Sequence, residues 1–241
     1  MGPVAAAKGD EKKPGSLTAL EILKKSDDFH YGHKDIHMKL HTVVKDKAGS
    51  KSELKYEMWA KGGKRLLIFS YPPEVNGLGV LAKDEDTIYV YEPEFNKVRR
   101  IASHAKKQGM LGMDYSMDEM ATQHLHKQYD AKLVSEDETQ AVLWLEQKPD
   151  RDKAWPELKV RVDKDNDWAA TRIEYYDKKG KKQKTETRKK FKKFKAGVSP
   201  SIMSMTTHAK KHTTTIIIKS IKTNQGLPDE MFSKRYLIRE E

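Results

Sequence analysis

Four of the nine histidines crowd one stretch, His30, His33, His37 and His41, and they are the first residues to weigh for chemistry. His33, His37 and His41 alternate with Ile36, Met38 and Leu40, which is the pattern of a half-buried strand. Same-face strand residues four apart lie about 13 Å from one another, too far to share one metal ion. These histidines therefore read as the wet face of a strand, and no metal site is expected. His124-Leu125-His126 and the pair His208 and His212 stand isolated in the sequence. The absence of Cys removes disulfides, thiolate zinc sites and cysteine nucleophiles. No G-x-S-x-G, H-E-x-x-H, P-loop or dinucleotide fingerprint occurs. Nothing argues for catalysis or a cofactor, so a non-enzymatic protein is expected.

Two other groups of residues carry more information. Four of the ten methionines, Met110, Met113, Met117 and Met120, lie within one short stretch punctuated by Gly109 and Gly112. Met117, Met120, Ala121 and His124 share one helical face. Methionine packs adaptably against variable shapes; any one of these Met reads first as core packing, and the cluster beside two glycines reads equally as a core plug over an open sheet or as a mobile apolar lid. The second group is the run 178–195, with eleven Lys or Arg among 18 residues against the single Glu186. That run holds +10 of the chain's net +11. Its Lys181, Lys182, Lys184, Arg188, Lys189, Lys190, Lys192 and Lys193 read either as a solvated strand face at a sheet edge or as one surface for an anionic partner, and the partner surface is carried forward. Phe191 and Phe194 are three apart, which on a strand sets them on opposite faces, and no nucleic-acid module is legible, so no nucleic-acid partner is expected.

The elements that must position these groups follow from periodicity. Hydrophobic residues are only 37% of the chain of 241 residues, below the usual share of about 45–50%, as expected for a sheet with one wet face. No apolar run approaches the roughly 18 residues of a membrane span. Residues 1–16 are polar and rich in Gly, Pro and Lys, and are read as a disordered segment ahead of a single domain over 17–241. Thr18 with Glu21 forms a capping box and predicts a helix to about Ser26, and Ser116 with Glu119 predicts a second one from Met117 to about His124. Alternation predicts thirteen strands, near 36–44, 53–58, 65–71, 78–83, 87–92, 97–102, 127–136, 140–148, 157–164, 168–177, 181–194, 201–210 and 213–223. Residues 227–232 read as a turn or one helical turn, expected to lead into a short terminal strand. The fold class is mainly β (α+β), a curved antiparallel sheet.

Several ordered segments now carry a resemblance. Phe69-Ser-Tyr-Pro-Pro-Glu-Val-Asn-Gly77-Leu-Gly-Val-Leu81 is followed by Ile88-Tyr-Val-Tyr-Glu-Pro93 and Lys97-Val-Arg-Arg-Ile101. Met110-Leu-Gly-Met-Asp-Tyr115 and Glu174-Tyr-Tyr-Asp-Lys-Lys-Gly180 come after them. In that order and spacing the chain, over about 17–240, resembles the outer-membrane lipoprotein-sorting (LolA/LolB-like) family, in the branch associated with RND-type (MMPL-like) exporters. Two departures stand out. The family's Gly-Ser-Asp is here Gly112-Met113-Asp114, which makes the lid more apolar, and its Trp before Tyr-x-Pro is replaced by Ile88-Tyr89.

The resemblance implies an incomplete β-barrel closed by a few helices, with a hydrophobic cavity that carries acyl chains across the periplasm. The expected lining is the strand face Leu54, Tyr56, Met58, Leu66 and Ile68 with the lid residues Met110, Leu111, Met113, Met117 and Met120. Arg99 and Arg100 stand where the family keeps basic residues, to pair within the protein or to meet a headgroup, with internal pairing favoured. The implied partners are an acylated lipoprotein or lipid cargo, an inner-membrane transporter of ABC or RND type, an outer-membrane acceptor, and a membrane surface met by the basic strand. The competing reading is an accessory subunit that docks on an envelope complex through that strand, its cavity filled by its own side chains.

Overall fold

The computed structural model describes residues 16–84, 86–122, 124–194 and 197–238. All of the N-terminal segment read as disordered, except Ser16, lies outside them, as does Lys195 of the basic run. Helix α1 (Ala19–Tyr31) opens the fold, and both hydrogen bonds of the Thr18–Glu21 capping box are present. One buried stripe, Ala19, Ile22, Leu23, Ser26 and Asp27, runs down it at helical spacing. Six strands follow: β1 (Asp35–Lys45), β2 (Lys51–Lys61), β3 (Lys64–Tyr71), β4 (Gly79–Ala82), β5 (Ile88–Glu92) and β6 (Lys97–Arg100). The β2–β3 turn has φ of +54° and +86° at Gly62 and Gly63, the left-handed pair that a two-residue hairpin needs. Three short helices come next, α2 (Ser103–Lys106), α3 (Met117–Ala121) and α4 (Leu125–Gln128). The remaining strands are β7 (Tyr129–Glu136), β8 (Gln140–Gln147), β9 (Glu157–Asp163), β10 (Ala169–Tyr176), β11 (Lys182–Phe194), β12 (Gly197–Thr207) and β13 (His212–Thr223).

All thirteen strands join one antiparallel sheet in the order β6-β5-β4-β3-β2-β1-β13-β12-β11-β10-β9-β8-β7. Two meanders meet where the first strand pairs with the last, from Ile36↔Thr223 to Lys45↔Thr213. The edges β6 and β7 are not hydrogen-bonded to each other, so the barrel is incomplete. The sheet is strongly curled. Leu67 on β3 and Leu158 on β9 are seven strands apart, about 33 Å in a flat sheet, yet they line one cavity. The large core fills the concave side and draws on both meanders, from Val80 and Ile88 to Leu143 and Val160. Helix α1 packs inside it against β7, β10, β12 and α4.

A second, smaller core lies on the other face, where Leu66 and Leu81 pack beneath Met231, Phe232 and Leu237. Here the expected terminal strand is corrected. Residues Asp229–Phe232 form a 3-10 turn and Lys234–Leu237 form helix α5, capped by the Ser233 side chain on the Tyr236 N–H. Leu237 lies so close to β4 that a Cβ on Gly79 would come within 2.7 Å of its Cδ2. Two helix bounds also differ from the sequence reading. α1 runs past Ser26 to Tyr31, and α3 stops at Ala121, with Leu125–Gln128 forming a separate turn.

Candidate functional site

A cavity of about 150 Å³ opens between the concave face and the segment 109–128. Its floor is Met38 and Leu40 of β1, Tyr56 and Met58 of β2 and Leu67 of β3. Across the curl stand Leu158, Ile173 and Met203, and the roof is Tyr115, Met120, Leu125 and the Ser26–Asp27 turn of α1.

The expected lining divides into four groups. Tyr56, Met58 and Met120 line this cavity. Met110 and Met117 join Met120 around a small adjoining hollow against Val80 and Ile88. Leu54 and Met113 are buried in the surrounding core, with Leu111 half-buried against it. Leu66 and Ile68 are on the wrong face: they belong to the outer core under α5. The register explains this correction, because Tyr56 pairs with Phe69 and Met58 with Leu67, so the odd-numbered side of β3 shares the cavity face. The run Leu66-Leu67-Ile68-Phe69 is apolar on both faces, and alternation alone could not choose between them.

Sequence reading missed a buried polar network around the roof. Lys153 Nζ lies 2.6 Å from Asp118 Oδ1, with side chains only 5% and 6% exposed. Asp118 also accepts from the Ala154 N–H. Glu119, which closes the second capping box, receives Lys184 Nζ at 2.9 Å and Trp155 Nε1 at 2.6 Å. Arg188 Nε donates to Glu186 Oε1 at 2.6 Å, and Tyr175 Oη to Glu186 Oε2 at 2.9 Å. Burial, reinforced by the Glu186 charge, pushes the Tyr115 and Tyr175 hydroxyls well above their usual pKa, and burial pushes Tyr56 up to about 12. The only sequence signal for this network was the capping box at Ser116–Glu119.

The expected lid is held by polar groups as well as by its methionines. The Asp114 N–H donates to Thr214 Oγ1 at 2.7 Å, and its carboxylate meets Thr207, Thr214 and His212. Lys184 Nζ also donates to the Asp114 carbonyl at 2.6 Å. Two residues of the expected anionic-partner surface are therefore corrected. Lys184 is buried and Arg188 is half-buried, both turned inward onto carboxylates. Lys181, Lys182, Lys189, Lys190, Lys192 and Lys193 remain exposed. Arg99 and Arg100 are exposed on the edge strand, where Arg99 has the expected partner within the chain, Glu92.

Of the histidines, His37 and His41 meet Glu57 and Glu53 across the β1–β2 surface. His124 and His126 come together with buried Asp27, their ligating atoms all within 4.8 Å, and among the described residues these three are the group that could hold a metal ion. Asp27 already has a structural task there. It accepts the Leu125 and His126 N–H groups and pairs with His126 Nδ1 at 2.6 Å, while burial outweighs these bonds and raises its pKa. No helix among the described residues is long and apolar enough to cross a membrane.

Comparison with known proteins agrees with this geometry. A family model with the description "Uncharacterized protein" matches residues 61–239. No curated protein matches the chain in sequence. Among solved structures, a domain described as an outer membrane lipoprotein-sorting protein from Vibrio parahaemolyticus superposes with a TM-score of 0.83 at 22% identity, over 92% of this chain and 98% of its own. A LolA superfamily protein from Nitrosomonas europaea gives 0.78 at 19% identity, over 92% and 100%. A DUF1329 family protein from Desulfovibrio piger gives 0.84 at 20% identity, over 91% and 97%. The chain belongs to the family that the matching model describes, and its fold is that of the LolA-like lipoprotein-sorting proteins.

Proposed function

We propose that this protein is a non-enzymatic carrier. It holds acyl chains of a lipid or lipoprotein in the cavity and moves them through the periplasm from an inner-membrane transporter to an outer-membrane acceptor, as one domain over 17–241. The observation that carries the reading is the cavity itself, a mostly apolar hollow under a methionine-bearing roof inside a sheet that leaves one seam open. An acyl chain in water is unfavourable by about 0.8 kcal/mol per CH₂, so a mostly apolar hollow offsets that cost as each methylene enters. Methionine lets the wall repack around chains of different shape. At about 150 Å³ the hollow is the size of one that takes a benzene-sized molecule, so a longer chain requires the roof to shift. The six exposed lysines of 181–193 supply a surface for anionic headgroups or an acidic partner.

Native mass spectrometry of the purified protein, with lipid extraction alongside, tests this. A discrete added mass that extracts as an acyl lipid is expected. A clean apo mass together with no uptake of offered lipids or lipopeptides sinks the carrier. It would leave the docking subunit, whose surface is those same six lysines.

A further inference from the structure

Four tyrosines line the cavity, and three have a partner for the hydroxyl. Tyr56 Oη accepts from Thr42 Oγ1 at 3.3 Å, Tyr129 Oη donates to the Trp155 carbonyl at 3.0 Å, and Tyr175 Oη donates to Glu186. The Tyr115 hydroxyl is the exception: it is buried and makes no hydrogen bond to a described group. Buried polar groups are nearly always paired, so a lone one in a ligand cavity asks what it binds. Its surroundings sharpen the question. Arg65 and Arg188 belong to the same lining, and Glu186 ties Arg188 to Tyr175. A methylene chain offers nothing to an O–H or a guanidinium. A chain that ends in a carboxyl or ester does, since a carbonyl oxygen accepts from such donors. The size of the hollow favours one chain over a bundle.

We propose that the cavity binds a single-chain acyl lipid head inward, its carboxyl or ester oxygen accepting from the Tyr115 hydroxyl on the wall that carries Arg65 and Arg188. This rests on the carrier reading and narrows its cargo, because a buried carbonyl end leaves no exit for an attached protein. High in pKa, the Tyr115 hydroxyl stays protonated and acts as a donor throughout the physiological range. Tyr115 stands on the roof segment, so the bond that recognises the head also ties the cargo to the element that must move.

Dodecanoate and methyl dodecanoate, each carrying 13C at the carbonyl carbon, are the probes, with the wild type and Tyr115→Phe. In the wild type the bound carbonyl resonance is expected not to follow the aqueous titration of dodecanoate. Tyr115→Phe is expected to shift that resonance and to weaken binding by about three- to tenfold, the range for one hydrogen bond. The melting temperature of the empty variant should hold or rise, because the hydroxyl it removes has no hydrogen-bond partner among the described residues. Uptake of dodecanoate alone would assign the head as a free carboxylate, and uptake of both probes as any acyl carbonyl. A bound carbonyl that titrates as in water, or full affinity in Tyr115→Phe, overturns the head-inward site while the carrier stands. If the wild type takes up neither probe but does take up an offered lipopeptide, the head-inward site falls while the carrier stands; uptake of none of them sinks both. The wild-type resonance decides alone should the variant misfold.

Discussion

Lys153 and Asp118 meet at 2.6 Å under the roof, both nearly inaccessible. Two ions taken out of water are costly, and their mutual attraction compensates only while both remain. Lys153→Met is therefore expected to lower stability by about 3–5 kcal/mol, because it strands a buried carboxylate. The double change Lys153→Met with Asp118→Leu should recover most of that loss. A shortfall will remain, since the Ala154 N–H also loses its acceptor. Denaturant melts of the three proteins check this; equal losses in the single and double variants would mean that the pair contributes nothing as a pair. None of it was legible from residue types. Lys153 is one lysine among many in the sequence, and only folding brings it against a residue 35 positions away.

At the scale of elements, the hairpin of β2 and β3 decides which side chains meet a ligand. With Tyr56 opposite Phe69 and Met58 opposite Leu67, Leu67 faces the cavity and Ile68 faces α5. Leu67→Phe should fill part of the hollow and reduce acyl binding severalfold, with only a modest change in melting temperature. Ile68→Phe should leave binding as it is and disturb the packing of Leu237 instead. Fluorescent fatty-acid titrations read both, and equal effects on binding would overturn this assignment of faces. The strands, the two capping boxes and the methionine segment could all be read from periodicity and spacing, because each is a local property. The face of β3 could not, because four apolar residues in succession satisfy either register. The polar anchoring of the roof was hidden for a different reason. Asp114 looks like a turn residue in sequence, and its partners Thr207, His212 and Thr214 arrive only with the last two strands. The basic run misled in the same way, since Lys184 and Arg188 look identical in type to their exposed neighbours until alternation turns them onto carboxylates.

For the whole molecule, the strand order separates covalent from non-covalent connection. The two sheet edges, β6 and β7, are consecutive in sequence, and residues 101–128 run between them as the roof. The sheet's continuity at its centre depends on β1 pairing with β13, strands from opposite ends of the chain. One backbone cut in the roof would therefore release neither half. Six strands with α1 and seven strands with α5 would still share the long β1–β13 ladder and the concave core. The protein is in this sense a natural split pair, and fragments 1–108 and 109–241, expressed separately, are expected to reassemble into one particle on size-exclusion chromatography. Independent elution of two folded halves would refute it. Joined at the middle and strapped at the rim, the shell has a seam that can spread only as far as its own roof pays out, like a clasp whose hinge is hydrogen bonds and whose catch is the chain.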